Sequence, residues 1–330
     1  MTSAHIVVID PLNRTLRHYE QELLDTLRHA GYEAVEVPHT VQGEGASGVS
    51  EKIRISLSSV IERIRLGHTM SSRVIIVAWP LFGYFDPLTL VTLTRSNRVF
   101  IVLHDPWPLR NAYGYSRVAR FAFKAVVARR NVQVLYHTHL AQEVGGRMTG
   151  VTGSIVPHPI LMRSTTPGTA PEGPSRHPRI RVLGQYKQAR SIAALEHIAV
   201  ANNDHLSLEI YGRGWPSVPG WKLVDHFIPE DEFETAVQTS DCVVIPYDSF
   251  FQSGVAARCL ELGVRVVAPL HEHIVELFGA DWPGIVRNES DWLAAIQRAL
   301  TVDSVEIRAR RDSVRREIQR AWSGALDRVS

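Results

Sequence analysis

Short apolar runs alternate along the chain with longer segments whose apolar positions recur every three or four residues. That alternation predicts strands and helices in turn. "HIVVID" reads as a buried strand, and "RTLRHYEQELLDTLRHAG" as an amphipathic helix closed by Gly31. "YEAVEVP" is a second strand, and "VSEKIRISLSSVIERIRLG" a helix that again ends at a glycine. "RVIIVAW", "RVFIVLH" and "NVQVLYH" are three further strands, separated by helical patterns. Continuous Val/Ile runs between helices predict a parallel sheet covered on both faces. The pattern breaks at residues 163–178, "RSTTPGTAPEGPSRHP", whose Pro, Gly, Ser and Thr content is linker chemistry.

The alternation then restarts. "RIRVLG", "LSLEIYG" and "DCVVIPY" read as strands, with "QARSIAALEHIAVAN" and "PEDEFETAVQTS" as helices between them. A strand–loop–helix–strand unit, "PYDSFFQSGVAARCLELGVRVVAP", follows, then "WLAAIQRAL" and a basic helix from about Val305 to Arg328. A chain of 330 residues favours two cores over one. The expected fold is α/β, with two Rossmann-like domains facing across a cleft: 1–162, a linker at 163–178, and 179–304. Residues 305–330 form a last helix expected to pack back on the N-terminal domain.

Composition narrows the class. A net charge of +2 gives no reason to expect a nucleic-acid partner. Cys242 and Cys259 both lie in apolar segments, which argues against a disulfide scaffold or a cysteine-bound metal and suits a reducing cytoplasm. The opening residues lack a basic stretch followed by a long apolar one, so no secretory signal is expected there. No uncharged apolar run reaches the length that spans a bilayer. No His/Asp/Glu cluster has metal-ligand spacing, so neither metal nor cofactor is expected.

In parallel α/β domains, strand C-termini and the helices that follow make anion sites from free N–H groups and the helix dipole. Ser253 and Gly254 stand at such a junction. Serine could donate to a phosphate or simply cap the helix, and glycine would let a ligand approach the backbone. Lys187 and Arg190, after Gly184 in "LGQYKQAR", place two cations near the start of another helix. That is unfavourable with the dipole unless an anion intervenes, although a solvated pair of charges fits equally well. "YGRGWP" offers Gly212 at a third strand end, where a plain turn is the alternative. Tyr247 closes "DCVVIPY", the strand that leads to Ser253.

Gly184 with Lys187, "LEIYGRG", "FIPEDEFETAVQTSDCVVIPY" and "SGVAARCLELGVRVVAP" resemble, in order and spacing, the C-terminal domain of GT-B glycosyltransferases. The N-terminal part is similar to the acceptor half of that family, more loosely, through "VLHDPWP", "VLYHTHLAQEV" and "SIVPHPI". The resemblance implies transfer of a hexose from a UDP- or GDP-linked sugar to a hydroxyl of a glycan, glycolipid or small molecule, without a metal. It assigns the donor to Gly184, Lys187, Arg190, Gly212, Tyr247, Ser253 and Gly254. Many retaining members carry two glutamates flanking the last loop; Phe250 and Arg258 hold those positions here, and Glu261 is out of register. The Ser-Gly version is closer to bacterial polysaccharide and mannosyl-type transferases. A nucleotide-sugar epimerase and a non-catalytic nucleotide-sugar-binding module are the rival readings.

On the acceptor side, His104 and Asp105 end a strand, where either could take a proton from a hydroxyl. Asp105 could equally cap a turn before Pro106. His137 and His139 read as turn and cap residues. In "HEH", residues 271–273, Glu272 is the candidate for binding sugar or ribose hydroxyls. The helical segment 116–130 carries Arg117, Arg120, Lys124, Arg129 and Arg130 around an apolar stripe. It is either a core-facing helix with a solvated basic face or a peripheral contact with the inner face of the membrane.

Overall fold

The computed structural model describes residues 5–11, 17–37, 49–107, 114–162 and 177–327. Most of the expected linker, residues 163–176, lies outside the described residues. The chain divides into two compact units, one of Met1–Met162 with Ile318–Ser330, the other of Arg163–Glu317.

In the first unit, β1 (His5–Ile9), β2 (Glu33–Glu36), β3 (Val74–Val77), β4 (Arg98–Val102), β5 (Val132–Tyr136) and β6 (Ser154–Ile155) form one parallel sheet. Their spatial order is β2-β1-β3-β4-β5-β6. The helices are α1 (Arg17–His29), α2 (Val49–Thr69), α3 (Asp86–Thr89), α4 (Arg117–Arg129) and α5 (His139–Thr149). The β1–β2 connection runs opposite to the later ones, so right-handed crossovers put α1 on one face and α2 to α5 on the other. Contacts of α2 with α3, α3 with α4, and α4 with α5 agree with that layer. Ile6, Ile75, Phe100 and Leu135 are buried in the sheet between the layers.

Two readings need correction. The second helix does not stop at its glycine; α2 continues through Gly67 to Thr69. A Cβ on Gly67 would stand 2.7 Å from the Thr92 carbonyl carbon, so the glycine serves close packing rather than a helix end. His137 does not cap α5 either. Thr138 does, its hydroxyl accepting from Ala141 N at 3.1 Å, while His137 is buried.

The second unit holds β7 (Arg179–Leu183), β8 (Ser207–Tyr211), β9 (Lys222–Val224), β10 (Cys242–Val244), β11 (Arg265–Pro269) and β12 (Ile285–Val286). These too are all parallel, in the order β12-β11-β10-β7-β8-β9. Its helices are α6 (Ile192–Ala201), α7 (Glu230–Gln238), α8 (Gly254–Leu262), α9 (Glu272–Phe278) and α10 (Trp292–Leu300). Leu195, Ile210, Trp215, Trp221 and Trp292 fill one core layer. The two- and three-residue strands β6, β9 and β12 are too short to show a pattern and were not expected.

The last helix, α11 (Ser304–Asp327), contributes to both units: residues up to Glu317 cluster with the second and those from Ile318 with the first. Trp322 is fully buried in the first unit, where its Nε1 donates to the Pro157 carbonyl at 3.1 Å. Tyr32 donates to Asp327 at 2.7 Å.

Candidate functional site

The strand order of the second sheet reverses between β7 and β10. From β7 the chain moves to β8, and from β10 it moves the other way to β11. In open parallel sheets this reversal leaves a crevice outside the strand C-termini, where ligands bind. Backbone bonds join the two loops that leave it. Ser191 N donates to Pro246 O at 2.6 Å, Asp248 N donates to Ala189 O at 2.8 Å, and Arg190 and Tyr247 form an isolated antiparallel bridge.

Arg190 is therefore not a surface cation beside a helix start. Its side chain is 4% exposed, with Trp215 and Tyr247 rings at 5.1 and 4.9 Å from the guanidinium. Nη2 donates to the Leu183 carbonyl at 2.9 Å, whereas Nε and Nη1 have no hydrogen-bond partner. Burial pulls the guanidinium's pKa down; Tyr247 opposes this, lying near without reaching hydrogen-bond geometry at those two nitrogens. A buried cation with two unused donor nitrogens is costly unless an anion completes it. Lys187, by contrast, is exposed three residues earlier.

Glycines hold the neighbouring loops close. Gly184 adopts φ +95°, and its carbonyl accepts from Trp215 Nε1 at 2.9 Å. A Cβ on Gly212 would fall 2.1 Å from that same carbonyl oxygen. Gly212 is thus required by loop-on-loop packing. The space on its Cβ side is filled by protein. Gly254 is the opposite case: it is exposed, and a Cβ there would meet nothing within 4 Å.

Ser253 is buried and caps α8, its hydroxyl oxygen accepting from Ala256 N at 3.3 Å. The cap leaves the hydroxyl proton and the first N–H groups of the helix available to a ligand. Arg258, one turn on, points at carboxylates rather than at the crevice. It pairs with Glu230 at 2.9 Å, Glu234 at 2.6 Å and the fully buried Glu261 at 3.3 Å, tying α7 to α8. Phe250 is buried and stacks on His271 at 3.8 Å. His271 caps α9 by accepting from His273 N, and burial lowers its pKa. Glu272 opens α9, partly buried.

At the strand ends of the first unit, Asp105 is half-buried after β4. The Tyr115 phenol is pushed up to about 12, by burial first and then by the Asp105 carboxylate. His104 is not placed as an open base. It is buried, stacked on Trp79 at 4.6 Å and edge-on to Tyr19 at 4.5 Å, with Nε2 donating to the Ala78 carbonyl at 2.9 Å. His137 joins the same ring cluster, its Nδ1 donating to Val156 O and its Nε2 accepting from the Tyr19 hydroxyl, each at 2.9 Å. Sequence reading missed this cluster, because its members come from α1 and the segments that follow β3, β4 and β5, and share no local motif.

Glu20, buried on α1, is a further unread group. Burial first, then the Asp10 carboxylate, raise its pKa to about 8. The folded chain therefore holds a proton there between about pH 4.5 and 8 that the unfolded chain has released, so stability falls as pH rises through that window. Glu20→Gln removes the ionisation. Its thermal midpoint should exceed that of the parent protein by more at pH 8.5 than at pH 5; an equal difference at both values would contradict the assignment.

No protein-family model matches the chain, and no curated protein matches it in sequence. Its fold is nevertheless found in solved structures. An α,α-trehalose-phosphate synthase (UDP-forming) from Burkholderia vietnamiensis aligns over 99% of this chain and 99% of its own, with 11% identity and a TM-score of 0.61. A sucrose-phosphate synthase from Thermosynechococcus elongatus aligns over 98% and 97%, with 15% identity and a TM-score of 0.61. A glycosyltransferase from Rickettsia africae aligns over 100% and 97%, with 10% identity and a TM-score of 0.62. Two parallel-sheet α/β units of this kind are the GT-B architecture, as expected.

Proposed function

We propose that this chain is a GT-B glycosyltransferase that moves a hexose from a nucleotide-sugar to a hydroxyl acceptor. The observation that carries the reading is Arg190: a buried guanidinium with two unused donor nitrogens where the second sheet reverses its order. A UDP- or GDP-linked donor would place its diphosphate there, against the α8 start at Ser253 and Gly254, with Lys187 reaching in from the surface. Departure of the nucleoside diphosphate concentrates charge on that group, and fixed cations stabilise it more in the transition state than in the ground state. Arg190 and Lys187 supply that charge, so the proposed reaction needs no metal. On the acceptor side, Asp105 takes the hydroxyl proton. The acceptor is a glycan or a lipid-linked sugar, the latter reached by contact of α4 with an anionic membrane; α4 exposes Phe121 between Arg117 and Lys124.

Calorimetry with nucleoside, monophosphate and diphosphate tests the donor site. A charge-assisted contact to phosphate contributes about 1.5–3 kcal/mol. Lys187→Ala should therefore weaken diphosphate binding by roughly tenfold to a hundredfold and leave the nucleoside unaffected. Gly254→Val, at a site where the protein leaves room for a side chain, should preserve folding and still weaken the diphosphate. Wild-type affinity in both variants would move the diphosphate elsewhere.

A further inference from the structure

Helix α2 exposes apolar side chains as well as half-burying Ile55, Val60 and Leu66. Its buried positions include Ser59 and Arg63, the latter paired with the buried Asp86 at 3.0 Å. Its outward side carries a run of aliphatics: Ile53, Leu57, Ile61 and Ile64 are 54%, 59%, 65% and 42% exposed. Steps of four, four and three residues keep these side chains within an arc of about 80° along roughly 16 Å of helix. Isolated exposed aliphatics are ordinary; a continuous stripe of four marks a contact surface.

What covers the stripe follows from charge and from its neighbours. Arg54 and Arg65 are exposed along one edge of it, and His68 is exposed within its arc. Helix α4 stands in the same layer, joined to α2 through α3, and exposes Val118 and Phe121 beside Arg117 and Lys124. Trp107, also exposed, lies under the Arg120 guanidinium at 5.8 Å. Apolar side chains flanked by basic ones complement an anionic lipid surface: the aliphatics enter the acyl boundary, and the long cations reach phosphate headgroups. A second copy of the chain would instead bring a surface of the same sign against this one.

We propose that the α2 stripe is the part of this protein that inserts into an anionic lipid surface, with the basic residues of α4 as its electrostatic complement. The inference rests on the membrane reading of α4 and adds to it the element that enters the bilayer. Among the described residues no helix is long and apolar enough to cross a membrane, so the contact is one of lying in the interface.

Flotation of the full chain with phosphatidylcholine vesicles, with and without phosphatidylglycerol, tests it. Binding is expected only with the anionic lipid and should weaken with added salt. Leu57→Glu with Ile61→Glu changes only exposed positions, and should lower partitioning tenfold or more, on the order expected for buried aliphatic side chains. Arg54→Gln and Arg65→Gln should each cost about fivefold. If Arg117→Gln with Lys124→Gln abolishes flotation while the Leu57/Ile61 variant floats normally, the membrane reading stands and the α2 insertion falls. No flotation of the wild-type chain at low salt overturns both. A Leu57/Ile61 variant that splits a wild-type dimer in sedimentation velocity, with vesicle binding unchanged, would show the stripe serving a second copy instead. Diphosphate binding in lipid-free buffer should be the same in all variants, which keeps the donor site a separate question.

Discussion

Arg190→Met should lower affinity for a nucleoside diphosphate by at least about a hundredfold while leaving the fold at least as stable. The two nitrogens without partners are available for two charge-assisted bonds, together about 3–6 kcal/mol. Stability should respond differently. Without ligand, the guanidinium is a buried charge with one carbonyl partner, at Leu183. Replacing it with an apolar side chain of similar length removes the cost of burying an incompletely bonded charge and loses one hydrogen bond, to the Leu183 carbonyl. Methionine also keeps contact with the Trp215 and Tyr247 rings. Arg190→Lys should restore part of the affinity, since it keeps the charge and loses the fork. A methionine variant that unfolds would make Arg190 a structural support. One that binds diphosphate normally would remove it from the site.

Asp105→Asn should reduce turnover by about a hundredfold to ten-thousandfold, the span over which a positioned base acts, with diphosphate affinity unchanged. Saturating acceptor should not rescue it, because the loss lies in proton transfer and not in binding. A second readout is independent of activity. The Asp105 carboxylate contributes to holding the Tyr115 phenol at about 12, so the asparagine variant should titrate that phenol at lower pH by ultraviolet absorbance. Unchanged turnover with a shifted phenol would confirm the placement of Asp105 and sink its role as base.

Most of the two sheets was legible because their strands are buried on both faces and read as unbroken Val/Ile runs. The Ser253 cap was legible for the same local reason: capping depends on the residue and the helix that follows it. What escaped depended on partners far along the chain. Arg190 looks like a surface cation beside Lys187 until Trp215 and Tyr247, 25 and 57 residues later, close over it. Gly212 suggests ligand approach, and the sequence does not show that the Gly184 carbonyl fills its Cβ side. His104 suggests an open base until Tyr19 and Trp79 enclose it. The helical periodicity of α2 shows that an apolar face exists, but not that it turns outward.

The placement of Trp322 sets an order on how the chain comes off the ribosome. The first unit is nearly all encoded by residue 162, yet the tryptophan that fills it and the Tyr32 partner at Asp327 are made only after the whole second unit. At roughly 5–20 residues per second, the nascent N-terminal unit waits about 10–30 s with an unfilled slot beside Pro157. The second unit, contained within residues 163–317, has all its own residues before that slot can close. Domain completion therefore runs against the direction of translation. A premature stop after residue 317 would release a chain whose C-terminal unit has its full sequence and whose N-terminal unit cannot be finished.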